Sequence, residues 1–188
     1  MRKCDGGETP PLRICVYMTG EHKKEAMMPY NPNIHHRGSI RLKDYDYRTP
    51  GDYFVTINVQ DRATIFGEII DGVIKISEIG AIVLSILEVV PYRYTGIQIE
   101  SYCLMPDHIH IVIRIIPDPM KYINQSDLTL CQVIAFFKYE SARLVNEYLK
   151  QPGRRIWQRN YYEHIVRDEV DLTRIHQYME ENPLRISS

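Results

Sequence analysis

Two runs of β-branched and apolar residues, 97–104 and 108–115, are separated only by the turn-forming Met105-Pro106-Asp107. So short a connection predicts an antiparallel pair of strands in one sheet. Side chains two apart in a strand leave the same face, so His108 and His110 point together while the isoleucines beside them point into a core. The chain is therefore expected to fold around a sheet that carries paired imidazoles on one face.

The residues before this pair continue the pattern of strands and helices. Residues 52–59 alternate and are rich in β-forming side chains, which predicts a strand. Asp71-Gly72 favours a tight turn in a small hairpin over 67–76. Apolar residues recur at helical spacing after Ser77, a good N-cap, and this helix is predicted to end before Pro91.

The residues after the pair predict one more helix and one more strand. Helical spacing covers 128–149, with Ser126 or Asp127 as the cap, and Gln151-Pro152-Gly153 is expected to stop this helix. A strand is predicted over 156–167.

A last helix is predicted to begin at Asp168 and to end near Asn182, because Pro183 follows and disfavours further helix. The complete order is β-α-β-β-α-β with this helix added. That order predicts an α+β fold, a ferredoxin-like antiparallel sheet with helices on one face, followed by a C-terminal helix.

Composition indicates one globular domain with an N-terminal extension. The chain has 188 residues, 44% hydrophobic and 25% charged, and no apolar run approaches the ~20 residues that span a bilayer. Residues 1–30 lack a hydrophobic period and are expected to be disordered, 31–48 form a basic arm, and 49–188 form the domain. Without a secretory signal, we expect a bacterial cytoplasmic protein with reduced cysteines and no membrane partner.

The charge distribution favours nucleic acid as a partner. Net charge is −1, yet residues 138–167 carry seven basic side chains against three acidic ones, with Trp157, Tyr161 and Tyr162 among them. Cations bind phosphates and aromatic rings stack on bases, although a solvated helix face followed by an ordinary strand would give the same pattern.

The paired imidazoles indicate a metal site, because strand packing gives no reason for them and neutral imidazole is a common metal ligand. If Leu172, Ile175 and Met179 form the buried stripe of the last helix, Tyr178 and Asn182 lie on its boundary. Two nitrogens and one oxygen suit Mg²⁺ or Mn²⁺, whereas zinc would need a better third ligand.

The segment Met105-Pro106-Asp107-His108-Ile109-His110-Ile111-Val112 resembles the His-hydrophobic-His motif of single-tyrosine transposases that mobilise single-stranded DNA. Further motifs resemble the REP-associated tyrosine transposases, and the resemblance covers roughly residues 31–184. These motifs are Asn33-Ile34-His35-His36-Arg37, Ser39-Ile40-Arg41-Leu42-Lys43, Tyr45-Asp46-Tyr47, residues 157–167 and Ile175-His176-Gln177-Tyr178 running to Glu181-Asn182-Pro183.

The resemblance implies a role for each matched residue. His108 and His110 match the family's metal-binding pair, with Mg²⁺ or Mn²⁺ as cofactor, Asn182 matches a third ligand, and Tyr178 matches the nucleophile on the C-terminal helix. The family cuts one DNA strand beside a hairpin and keeps the 5′ end as a phosphotyrosine. The expected protein is a nucleoid-associated transposase, a monomer or a homodimer, that binds single-stranded hairpin DNA.

Basic residues of the arm and of the 138–167 segment are the expected DNA contacts. Those in the arm would hold the hairpin and its foot, and the others would bind the DNA backbone. They are Arg37, Arg41, Lys43, Lys138, Arg154, Arg155, Arg159 and Arg167.

Several alternatives remain at this stage. A non-catalytic hairpin-binding regulator would use the same fold without a covalent adduct, and a zinc hydrolase would use His108, His110 and Cys103. Tyr161 and Tyr162 are rival nucleophiles, but strand alternation puts one in the core and one outside. Asn182 could instead cap its helix. The residues after Pro183 also differ from the family's usual tail, which bears on the helix that carries Tyr178.

Overall fold

The computed structural model describes residues 13–14, 42, 45–117 and 128–186. The elements, in chain order, are β1 (Arg13–Ile14), β2 (Gly51–Asn58), a 3₁₀ turn (Gln60–Arg62), β3 (Gly67–Ile70), β4 (Val73–Ile76), α1 (Glu78–Arg93), β5 (Ile97–Met105), β6 (His108–Ile115), α2 (Leu130–Leu149), β7 (Tyr162–Ile165) and α3 (Glu169–Ile186). Most of the predicted extension and arm lies outside these residues, so the domain boundaries stay a prediction. None of the described helices is long and apolar enough to cross a membrane.

The main sheet has five strands in the order β1-β5-β6-β2-β7, and β3 pairs with β4 in a separate hairpin. Strand β6 is central, antiparallel to both β5 and β2, while β1 joins the edge of β5 in parallel. The predicted α+β fold with an antiparallel sheet is confirmed. The strand that carries His108 and His110 therefore has neighbours on both sides.

The two faces of this sheet pack against different helices. Ile109, Ile111 and Ile113 belong to a core that also contains Val83 of α1 and Phe137 of α2. A smaller cluster on the other face joins residues of β5 and β6 to α3, and it comprises Cys103, Met105, Val112, Ile175 and Met179. The stripe predicted for the last helix is confirmed, and it places α3 on the face that carries the histidines.

Helix α1 begins as predicted at Ser77, whose hydroxyl accepts from the backbone N–H of Gly80 (3.1 Å). The prediction that it ends before Pro91 is wrong, because the helix continues to Arg93. Pro91 lies in the last turn, where its ring removes only one helical hydrogen bond. The next turn still closes, since Tyr94 N–H donates to the Val90 carbonyl (3.1 Å).

Helix α2 begins later than predicted and has a different cap. Thr129 and Gln132 form a capping box, in which Gln132 N–H donates to Thr129 Oγ1 (3.3 Å) and Thr129 N–H donates to Gln132 Oε1 (2.8 Å). The cap proposed at Ser126 or Asp127 is therefore wrong, and those two residues lie outside the described ones. A reciprocal pair of bonds satisfies two helix-end donors, which a single side chain cannot do.

The strand predicted over 156–167 is wrong in its extent, because β7 spans only Tyr162–Ile165. Before it, Trp157 makes one isolated bridge with Val59 and is buried, and its indole N–H donates to Ser141 Oγ (2.9 Å). The side chain of Lys138 also binds backbone carbonyls in this stretch. Residues 157–159 are therefore held mainly by side chains of α2 and do not continue the strand.

Helix α3 starts as predicted, since Asp171 N–H donates to Asp168 Oδ1 (2.8 Å). Its predicted end near Asn182 is wrong, because the helix passes through Pro183 to Ile186. As in α1, the proline lies in the last turn and costs one helical bond. The extra turn keeps Asn182 inside the helix, so its side chain is held at a helical angle and does not form the cap.

Candidate metal centre and nucleophile

His108 and His110 form a buried pair on the α3 side of the sheet. Their side chains lie on the same face as predicted, and they are 6% and 2% exposed. The two Nε2 atoms are 3.1 Å apart, and the rings meet edge to face. Both imidazoles therefore direct the same ring nitrogen toward one point.

The other nitrogen of each ring has a partner. His108 Nδ1 lies 2.5 Å from Asp107 Oδ1, and His110 Nδ1 lies 2.8 Å from Thr56 Oγ1. Burial would raise the pKa of the Asp107 carboxyl, but the hydrogen bond with His108 and the nearby charges of His108 and Arg62 lower it overall. An ionised carboxylate can only accept, so Nδ1 of His108 carries a proton, and Nε2 is the ring nitrogen that faces His110.

The side chain of Asn182 lies close to the Nε2 atoms of both histidines. Its Nδ2 lies 2.7 Å from His110 Nε2 and 3.4 Å from His108 Nε2, and the side chain is 8% exposed. Burial, followed by the charges of His108 and Arg62, lowers the pKa of His110 to about 3, so this ring is neutral at physiological pH. A neutral ring nitrogen is the form that binds a metal ion.

This arrangement fits a divalent cation. The two Nε2 atoms lie 3.1 Å apart, and the carboxamide of Asn182 lies within hydrogen-bond distance of both. A half-turn of the carboxamide would present its oxygen instead, completing two nitrogens and one oxygen. Among the described residues, no group of three His, Cys, Asp or Glu side chains could hold a metal ion. Asn182, whose carboxamide lies beside both Nε2 atoms, is therefore the candidate for a third protein ligand.

Cys103 does not complete a zinc site. It pairs with His110 across β5 and β6, but its Sγ donates to Met105 Sδ (3.7 Å) within the apolar cluster beneath α3. That environment suits a thiol that packs as a small apolar side chain. Among the described residues, Cys103 does not join His108 and His110 in a group that could hold a metal ion.

Tyr178 lies beside the histidine pair. Its ring centroid is 5.3 Å from that of His110 and 6.1 Å from that of Phe54, edge to face in both cases. Phe54 in turn stacks on His110 at 5.3 Å. The side chain of Tyr178 is 39% exposed, which agrees with the boundary position predicted for it. A half-exposed phenol next to the histidine pair is placed to meet a substrate from solvent.

The rival tyrosines are arranged as strand alternation predicts. Tyr161 is 7% exposed and its hydroxyl donates to Cys131 Sγ (3.5 Å), whereas Tyr162 is 58% exposed. Tyr162 of β7 pairs with Thr56 of β2, and Thr56 pairs with His110 of β6. Strand β2 therefore lies between Tyr162 and His110. Neither shares the contact that Tyr178 makes with His110.

Four residues around the pair could not be identified from the sequence. The sequence around Asp107 indicates a turn, and Phe54, Thr56 and Arg62 lie about fifty residues earlier in the chain. Their placement depends on the register of β2 against β6, in which Thr56 is opposite His110. Register is a long-range property, although the alternation of β2 was a usable signal that Phe54 and Thr56 share a face.

The proposed DNA contacts are only partly described. Arg37, Arg41 and Lys43 lie outside the described residues, and the side chains of Arg154, Arg155, Arg159 and Arg167 are exposed. Lys138 is half-buried, and its ammonium donates to the carbonyls of Gln158 (2.7 Å) and Arg159 (3.0 Å). Burial lowers the pKa of Lys138 to about 8. Lys138 thus has a contact within the fold, and contacts of all these residues with DNA stay predictions.

Comparisons with known proteins converge on one group. The family model described as transposase IS200 like matches residues 76–182, a range that contains His108, His110, Tyr178 and Asn182. An uncharacterized Haemophilus influenzae protein is 34% identical over 82% of this chain and 92% of its own length. A second protein of that organism, provisionally named a REP-associated tyrosine transposase, is 27% identical over 74% of each chain.

One solved structure shows the same fold. A REP-associated tyrosine transposase bound to a REP hairpin matches with a TM-score of 0.56 and 17% identity, over 77% of this chain and 73% of that chain. At this identity the likeness extends to the arrangement of strands and helices. It supports the antiparallel sheet and the helices described above.

Proposed function

The chain belongs to the IS200-like transposase family, and we propose that it is a metal-dependent endonuclease and strand transferase for single-stranded DNA. Its site would be a strand flanked by a hairpin, as the solved transposase of the same fold has a REP hairpin bound. The protein would accordingly act on DNA in the bacterial cytoplasm.

One observation carries this proposal. The Nε2 atoms of His108 and His110, the carboxamide of Asn182 and the ring of Tyr178 meet in one place, although they come from β6 and α3. A chain that only bound DNA would have no use for this convergence. Since all four residues come from the same chain, the proposal needs no second protomer.

In the covalent step, the nucleophile is the hydroxyl oxygen of Tyr178. This oxygen attacks the phosphorus of a phosphodiester, the new Oη–P bond forms, and the bond from phosphorus to the 3′ oxygen breaks. The phenol loses its proton and the leaving 3′ oxygen gains one, so the products are a 5′ phosphotyrosine and a 3′ hydroxyl. The phosphodiester bond of the DNA is replaced by a phosphodiester bond to tyrosine. The bond energy is therefore conserved, and the DNA strands can be rejoined later.

The histidine pair and Asn182 would hold Mg²⁺ or Mn²⁺, which supplies charge neutralisation at the phosphate and at the leaving oxygen. The chain's own contribution is position. Asp107 and Thr56 fix the two rings so that their Nε2 lone pairs converge, and Phe54 and His110 flank the Tyr178 ring. Holding reacting groups in place in this way lowers the entropic part of the barrier.

Strand transfer follows from the same chemistry in reverse. The 3′ hydroxyl of another DNA strand attacks the phosphotyrosine, restores a DNA phosphodiester and releases Tyr178. The basic residues proposed as DNA contacts, from Arg37 in the arm to Arg167 before α3, would hold the strands during this exchange through their phosphates.

A denaturing-gel assay tests the proposal. Labelled single-stranded hairpin DNA from the flanks of the gene is incubated with the full chain, with Mg²⁺, with Mn²⁺ or with EDTA. We expect a protein-sized shift of the 5′-phosphate fragment that needs the metal and is absent in Tyr178→Phe. Tyr162→Phe is the matched control, because it removes an exposed hydroxyl that is outside the site, and it should give the adduct at the wild-type level.

Two results would contradict the proposal. An adduct that persists in Tyr178→Phe would assign the nucleophile elsewhere. Tight hairpin binding without an adduct under either metal would show a non-catalytic DNA-binding protein on the same fold.

A further inference from the structure

The chain makes an unusual turn directly after β2, close to the histidine pair. Asp61 and Arg62 both have left-handed backbone angles, with φ of 56° and 55°. Residues other than glycine rarely adopt this region, and a non-glycine residue there needs the surrounding structure to hold it. Here Gln60 N–H donates to the Ile156 carbonyl (2.7 Å) and Arg62 N–H donates to the Val59 carbonyl (3.1 Å).

This turn directs the Arg62 side chain back over the end of the sheet. Its Nε forms an ion pair with Asp107 Oδ2 (2.8 Å), and its Nη1 donates to Asn58 Oδ1 (2.5 Å). Asn58 is the residue opposite His108 in the pairing of β2 with β6. One guanidinium therefore connects the end of β2 to the turn that precedes His108.

The connection continues into the histidine. Asp107 uses Oδ2 for Arg62 and Oδ1 for His108 Nδ1, so both carboxylate oxygens are engaged, and the side chain is only 15% exposed. A carboxylate held at both oxygens cannot rotate freely about its last bond. The ring of His108 then has a fixed proton position and a fixed angle.

We propose that Arg62 is a positioning residue of the metal site, which fixes the Asp107 carboxylate and through it the tautomer and orientation of His108. This inference rests on the proposed function, because it assigns Arg62 to the metal pair of that function. The strained turn is the structural means of placing the guanidinium there.

A merely structural ion pair is the competing explanation, and the chain contains a matched control. Arg114 binds Asp52 through Nε (2.7 Å) and Nη2 (2.9 Å), on the same face of the sheet, and it also pairs with Glu100. It stands four residues after His110 and makes no contact with the histidine pair. Arg114→Gln removes an arginine–carboxylate pair of equal or better geometry without touching the site.

The test is Mn²⁺ binding to the full-length, DNA-free protein, measured by calorimetry and by electron paramagnetic resonance. Arg62→Gln should weaken Mn²⁺ affinity by about 10–100-fold, the range found when a partner behind a metal-binding residue is removed. Arg114→Gln should bind Mn²⁺ as the wild type does. Arg62→Lys keeps the charge but not the two-point geometry, and its affinity should lie between those of wild type and Arg62→Gln.

A second measurement covers the case in which Arg62→Gln is poorly folded. Imidazole ¹⁵N spectra of the metal-free Arg62→Lys protein should show His108 losing its preference for the proton on Nδ1, while His164 and His176 keep their wild-type signals. These spectra report the tautomer directly, which a general loss of stability would not change selectively.

The outcomes separate this inference from the proposed function. If wild type binds Mn²⁺, His108→Ala does not, and Arg62→Gln binds like wild type, Arg62 has no positioning role and the metal site stands. Equal weakening in Arg62→Gln and Arg114→Gln would also overturn the inference, since the effect would be general. If wild type itself binds no Mn²⁺, both the metal site and the role of Arg62 are wrong.

Discussion

The two faces of β6 are both buried, but they have different roles. Ile109 and Ile111 are fully buried against α1 and α2, and His108 and His110 are almost as inaccessible on the α3 side. The isoleucines belong to the large hydrophobic core, whereas each ring nitrogen of His108 and His110 lies within hydrogen-bond distance of a polar atom. Burial alone therefore does not distinguish the part of the strand that holds the fold from the part that holds the site.

What separates the two faces is the cost of burial. Burying an isoleucine is favourable by itself, since apolar area leaves water. Burying an imidazole costs free energy unless its nitrogens are hydrogen-bonded, and here Asp107, Thr56 and Asn182 provide the bonds. A chain retains such an arrangement when convergence of those nitrogens has a use, which here we assign to metal binding.

Removing one imidazole from the histidine-bearing face of β6 should have the largest effect. His110→Gln keeps a polar side chain of similar reach for Thr56 but takes away the ring nitrogen proposed to bind the metal. Because metal stabilisation of a transferring phosphate is worth several kcal/mol, the rate of adduct formation should fall by about 10³-fold or more. A time course on denaturing gels measures the rate. A loss of less than tenfold would show that the ring is not a metal ligand.

The matching change on the other face is Ile111→Ala. It leaves a cavity in the core shared with α1 and α2, and it should lower the free energy of unfolding by about 2–5 kcal/mol. Urea unfolding followed by circular dichroism measures this change. The adduct rate of the folded fraction should stay near the wild-type rate, and a rate loss as large as that of His110→Gln would remove the distinction between the faces.

A smaller effect is expected at Phe54, which lies against both His110 and Tyr178. Phe54→Leu keeps apolar volume but removes the ring contacts, which are worth about 0.5–1.5 kcal/mol for an aromatic pair. The adduct rate should fall by up to about tenfold. The rate, compared at saturating and subsaturating DNA, should fall at both concentrations. A fall only at low DNA concentration would indicate weaker binding and not a misplaced nucleophile.

The smallest expected effect concerns how the helix with Tyr178 is attached. Asp171 accepts from His164 Nε2 (2.7 Å) and from the Arg167 N–H (3.2 Å), and these bonds, that with His164 first, lower the pKa of its carboxyl. The unfolded chain takes up the proton at higher pH than the folded chain does. The stabilisation is therefore complete above the ordinary carboxyl pKa, near 4, and is lost as pH falls through the lowered value.

Asp171→Asn tests this attachment. The variant should melt slightly below wild type at pH 7, and the difference should shrink as the pH is lowered through the carboxyl range. Thermal unfolding at several pH values measures it. A difference that does not change with pH would mean that the charge of Asp171 contributes nothing to holding α3.

Much of this could be predicted from the sequence, because the signals are local. The alternation of apolar side chains predicts β2, β5 and β6, and helical spacing predicts the buried stripe of α3. The spacing of His108 and His110 within a strand predicts that they share a face. Helix ends were less predictable. The sequence predicts that helices end at Pro91 and Pro183, yet both prolines lie in last turns, where one lost hydrogen bond is tolerated.

The partners of the histidines were not predictable for a different reason. Thr56 and Arg62 reach the site through the register of two strands separated by about fifty residues, which no local pattern determines. Asp107 was visible, but its sequence context indicates a turn equally well. The left-handed angles at Asp61 and Arg62 have no sequence signal, since glycine is absent there.

The central claim is that Tyr178 becomes covalently joined to DNA. The most direct test traps the adduct with labelled hairpin DNA, digests it with trypsin and a nuclease, and identifies the modified peptide by mass spectrometry. Cleavage after Arg174 and Arg185 releases residues 175–185, in which Tyr178 is the single tyrosine, while Tyr161 and Tyr162 lie in residues 160–167. We predict the nucleotide on peptide 175–185, and a nucleotide on peptide 160–167 would contradict the account.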